Sequence, residues 1–124
     1  MTTATITTRS SRERSFTTNY TYENRIRVKV STWHNLARKE FRTNVSVVWF
    51  EENERVVIEK SIGSIFGDLF NRTIAVTPCN RYSQKNFDLA VAEGLAKYNA
   101  LAHEYDAIVN QLLAEGEANQ CHAL

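Results

Sequence analysis

The residues best able to do chemistry in this chain are few, and most lack the partners that chemistry needs. His103-Glu104-Tyr105-Asp106 begins like a zinc-binding helix, but the second histidine would have to stand at 107, where the chain has Ala107. Cys79 would act as a nucleophile only beside a histidine base, and His34, His103 and His122 are all remote from it in sequence. Cys121-His122 offers two ligands, short of a structural metal site. No catalytic residue, no metal site and no cofactor is therefore assigned, and a non-enzymatic protein is expected.

Two stretches suit anions better than catalysis. In 80–86, Arg81, Tyr82, Ser83 and Lys85 lie between an expected strand and an expected helix start. Unpaired backbone N–H groups there attract negative charge, and Tyr82 would add a stacking surface. This turn is the candidate site for a small phosphorylated, nucleotide-like ligand. Arg25, Arg27 and Lys29 alternate along a strand and so share one face. With Arg9, Arg12 and Arg14 upstream, they make nucleic acid an alternative partner.

The elements that must position these groups are read from periodicity. Phe16, Thr18, Tyr20, Tyr22, Ile26, Val28 and Val30 keep one parity while Arg25, Arg27 and Lys29 keep the other. That alternation predicts a half-buried strand, read as one long strand rather than two joined near Glu23-Asn24. Trp33, Leu36, Ala37 and Phe41 recur at helical steps, giving a short helix or a structured loop over 32–42. Residues 44–50 are apolar on both parities, as in a central strand, and 55–60 return after a polar turn at 51–54. The segment 61–70 reads as a short helix or a compact apolar loop, and 72–77 as a strand ended by Pro78.

Ser83 then caps a helix over 83–115, which Gly116 closes. Its apolar stripe runs Phe87, Val91, Tyr98, Leu101, Tyr105, Ile108 and Leu112, with Gly94 in register and Leu95, Ala102 and Val109 widening it. Steps alternating between four and three hold one helix face against a partner surface. Thirty-three residues at 1.5 Å would reach roughly 50 Å, against a radius of gyration of about 14 Å for a globule of this size. The helix is therefore expected either to kink near Gly94 or Asn99 or to be shared between subunits. In the second case Val91, Tyr98, Leu101, Tyr105, Ile108 and Leu112 form a homo-oligomer interface.

The expected architecture is α+β: an antiparallel sheet of about four to five strands with short helical inserts, covered by the long C-terminal helix. Residues 1–15 read as a flexible Thr/Ser/Arg-rich tail, 16–116 as a single domain with its sheet over 16–78, and 117–124 as a second tail. Net charge is only +1, which argues against a dedicated polyanion binder without excluding a local basic patch. The charge is uneven: residues 1–60 carry eleven Lys and Arg against seven acids, and residues 61–124 carry four against seven. No run of apolar residues is long enough to span a membrane, and two isolated cysteines fit a reducing, cytoplasmic setting. The function expected is a binding protein that occupies or sequesters a protein or nucleotide-like partner, in the manner of a small accessory protein of a virus or mobile element. A nucleic-acid-binding module and a structural subunit of a larger assembly are the alternatives.

Overall fold

The computed structural model describes residues 5–11, 14–23, 25–52, 57–61 and 71–122. Six strands and one helix follow in order: β1 (Thr5–Ser11), β2 (Ser15–Tyr22), β3 (Ile26–Asn35), β4 (Glu40–Glu52), β5 (Val57–Ser61), β6 (Asn71–Pro78) and α1 (Gln84–His122). All strand pairings are antiparallel, in the order β1-β2-β3-β4-β5, with β6 also bonded to β4. The 13-residue β4 is the spine of the sheet. One edge of it pairs with β3, and the other is shared end to end by β6 (opposite 40–46) and β5 (opposite 48–52).

The α+β reading holds, as an antiparallel sheet carrying one long C-terminal helix. Three local expectations are corrected. Residues 5–11, read as part of a flexible tail, pair with β2 as β1, which adds a strand to the four or five expected. The single long strand over 16–30 is two strands around the turn 23–25. The pairing Tyr22↔Ile26 spans an even number of positions, so the alternation passes through the turn unbroken and conceals it. The helix or loop over 32–42 is a hairpin instead: β3 continues to Asn35 and β4 starts at Glu40. The hairpin over 44–60 is present, with β5 at Val57–Ser61, while the apolar segment 62–70 lies outside the described residues.

The first three turns share one device. Arg14, Glu23 and Lys39 all adopt positive φ, at 57°, 53° and 51°. Such positions are commonly Gly or Asn; here they are Arg, Glu and Lys, and Asn24 is the one Gly or Asn inside the three turns. Tertiary pairing over seven or more residues on each side holds them in place.

The even-numbered residues of β2 and β3 and the odd-numbered residues of β4 point to one face, which α1 covers. Tyr22, Ile26, Val28, Val30, Val45 and Val47 meet Tyr98, Tyr105, Val109, Leu112 and Leu113 in the larger apolar cluster. Phe41, Cys79, Phe87 and Ala90 form the smaller one, with Phe16, Tyr82 and Val91 packed against it. Between them lie three buried threonines, Thr18, Thr32 and Thr43. Thr32 and Thr43 share a hydrogen bond of 2.7 Å between their hydroxyls.

Gly94 crosses the sheet directly over that pair. A β-carbon there would lie 2.8 Å from Thr43 Cγ2 and 3.0 Å from Thr32 Oγ1, and closer still to Thr43 Oγ1. In an open helix Gly→Ala would stabilise by about 1 kcal/mol. Here overpacking, at about 1–3 kcal/mol, outweighs that gain. Gly94→Ala is therefore expected to destabilise the fold in urea unfolding. The loss should shrink in a Thr43→Ala background, and strictly additive losses would show that the two residues do not set each other's position.

Candidate functional site

The turn at 80–86 forms where expected, but its groups serve the fold. Ser83 Oγ accepts the backbone N–H of Asn86 at 3.0 Å and Ser83 O accepts that of Phe87 at 3.0 Å, so Ser83 caps α1. Tyr82 donates to Gln84 Oε1 at 3.3 Å, and its ring packs among His34, Phe41 and Phe87. The Arg14 guanidinium covers the Tyr82 ring at 3.7 Å. His34 also rests on Phe41 at 5.4 Å between centroids, and its N–H donates to Arg14 O at 3.1 Å. Tyr82 thus ties the β1–β2 turn to the start of the helix. Arg81 and Lys85 are exposed beside it.

The helix stripe is likewise occupied from within. Tyr98 and Tyr105 are 1% and 2% exposed, Leu112 is buried with them, and Leu101 and Ile108 pack against the same cluster. Val91 packs against the smaller cluster. The six residues expected at an oligomer interface therefore face the chain's own sheet, because a helix crossing a sheet needs the same four-three spacing as a helix crossing a helix. The helix also passes Gly116 and runs on to His122 as one 39-residue element, so Gly116 does not close it.

A tyrosine cluster fills the centre of this interface. Tyr20 stacks on Tyr98 at 4.9 Å and 28°, and Tyr98 meets Tyr105 at 5.6 Å. Tyr22 donates to Asp106 Oδ1 at 2.8 Å, tying β2 to α1. Burial raises the pKa of all four phenols, and for Tyr22 the bond to Asp106 adds to that effect. Among the described residues, no group of three or more His, Cys, Asp or Glu side chains is placed to hold a metal, and Cys79 is a buried free thiol.

The remaining candidates, Arg25, Arg27 and Lys29, are the ones the fold brings into a common surface. Arg27 and Lys29 project from β3 on the face away from α1, and Arg25 stands at the turn leading into that strand. Arg27 is paired with Thr21 and Val48, Lys29 with Asn19 and Ser46, Ser31 with Thr17 and Asn44, and Trp33 with Ser15 and Arg42. Side-chain bonds knit this face: Arg27 Nε to Thr21 Oγ1 at 3.3 Å, Thr17 to Ser31 at 2.9 Å, and Thr73 to Asn44 Oδ1 at 2.7 Å. Arg42 bonds Glu40 at 2.7 Å.

Sequence reading picked out the cations but missed their polar neighbours. The signal was present, since the odd parity of β3 continues past Lys29 through Ser31, Trp33 and Asn35. Two polar atoms on this face, Asn19 Oδ1 and Arg42 Nε, are buried without a hydrogen-bond partner among the described residues. No helix among the described residues is long and apolar enough to cross a membrane. Compared with family models, curated proteins and solved structures, the chain matches none.

The phenols yield a test of the helix–sheet contact. A pKa raised by folding means that the neutral phenol contributes its full stability below the unfolded value of about 10. That contribution is lost as pH rises through the folded values. Urea midpoints should therefore hold steady up to about pH 9 and fall above about pH 10. Tyr22→Phe should flatten that fall, and an unchanged slope would show that Tyr22 titrates as an exposed phenol.

Proposed function

We propose that the protein is a non-enzymatic binding protein whose working surface is the sheet face opposite α1 and whose partner carries dense negative charge, as nucleic acid does. One observation carries this reading. Arg27, Lys29 and Arg42 stand on that face with Arg25 at its margin, and Glu40 beside them is bonded to Arg42. Hydroxyl and amide groups, which bond phosphate and base edges, surround them together with Val48 and Trp33. The low overall charge does not oppose the reading, because the acids of residues 61–124 are mostly on other elements.

A second reading, a subunit of a larger assembly, rests on the helix. Its 39 residues would span roughly 58 Å, against a radius of gyration of about 14 Å for a globule of this size.

Charge reversal tests the first reading. Arg27→Glu with Lys29→Glu should weaken binding to heparin and to mixed-sequence oligonucleotides by at least tenfold at low salt, with unchanged circular dichroism. Equal binding by the variant would place the working surface elsewhere. Native mass spectrometry of the protein taken from cells reports on the second reading, which a purely monomeric species would exclude.

A further inference from the structure

Resting on the polyanion reading above, we infer that the sheet face is built for a single strand of nucleic acid laid along β3 rather than for a duplex. Alternate residues of a strand stand about 6.8 Å apart, so Arg27 and Lys29 on β3 are spaced at a pitch comparable with that of successive phosphates on an extended single strand. Arg25 precedes them at the turn that leads into β3. β3 is flanked on both sides by β2 and β4.

The flanks supply short hydrogen-bonding groups at the same pitch. Thr17, Asn19 and Thr21 come from β2, and Asn44 and Ser46 from β4, where Val48 stands opposite Arg27. All five are partly exposed, and none is long enough to block a chain lying across the sheet. With the phosphates on the central row, such groups would meet ribose and base edges on either side. A base in a duplex has its pairing edge already occupied, so these flanks would go unused.

The shape of the face leads to the same conclusion. Reading a duplex needs a helix or a two-stranded ribbon that enters the major groove, or side chains that enter the minor groove. The cations here rise from the middle of a sheet, and α1 covers its other side. A duplex would touch such a surface through one backbone only. Stacking is limited: Trp33 is the one aromatic residue of described side chain on this face of β2 to β4, and it stands at the far end of the cationic row. Recognition through backbone contacts and a single stacking ring implies weak sequence preference.

The experiment uses the full chain and fluorescent oligonucleotides of mixed sequence, as single-stranded RNA, single-stranded DNA and the matching duplex, followed by anisotropy across a salt series. The single strands are expected to bind at least tenfold more tightly than the duplex. Their log–log salt slope should be near −2, from three cations at about −0.7 each. Lys29→Ala should make that slope shallower by about 0.7. A preference for RNA over DNA would identify the ribose hydroxyl as the group met by the flanking residues. Equal or tighter duplex binding overturns the single-strand inference while leaving the polyanion reading intact. Absence of binding to any of the three sinks both.

Discussion

The close approach of α1 to the sheet at Gly94 is the constraint on which the rest of the structure depends. A glycine in the interior of a helix costs about 1 kcal/mol relative to alanine, and the chain accepts that cost where the backbone crosses Thr32 and Thr43. The two threonine hydroxyls bond each other, so neither needs a partner from the helix and the gap can close. On one side of this crossing Phe87 and Ala90 reach Phe41, and on the other Tyr98 and Tyr105 reach the valines of β3 and β4. A side chain at 94 would lift the helix at its pivot and loosen both clusters together.

That seating also decides what the opposite face can be. Side chains alternate across a strand, so a one-residue slip would exchange the two faces entirely. With Ile26, Val28 and Val30 held under the helix, Arg27, Lys29, Ser31 and Trp33 are obliged to face the other way. The cationic row thus owes its position to the apolar core, and its straightness to the unbroken register of β3 with β2 and β4. No loop has to be ordered to form it, so little conformational entropy would be lost there on binding.

How far this was legible in the sequence depends on whether a signal was local or relational. Period-two alternation at 16–30 and the apolar run at 44–50 are local, and both became strands with the expected faces. The turns were poorly marked, because positive φ falls on Arg14, Glu23 and Lys39 and Asn24 is the one Gly or Asn inside the three turns. The β1 strand was hidden because Thr and Ser dominate it, and such a segment becomes a strand by pairing rather than by burying an apolar side. Gly94 was visible within the helix stripe, but the threonines that require it lie 51 and 62 positions earlier, and nothing local connects them. For the site, the cations were evident, while Thr17, Asn19, Asn44 and Ser46 became relevant only once register had placed them beside Arg27 and Lys29.

The helix stripe shows why spacing alone cannot name a partner. Steps of four and three describe any surface that a helix lies against, whether a second helix or a sheet. Residue type discriminates where spacing does not. A coiled-coil seam favours branched aliphatic residues that interlock as knobs into holes, and Tyr98 and Tyr105 are poor knobs. Against a sheet the same residues fit well, because a flat ring can stack on Tyr20 and its neighbour while the phenols of Tyr22 and Tyr98 lie among other polar groups near Asp106. The tyrosines at the seam were thus the sequence's own indication that the helix would cover the sheet of its own chain.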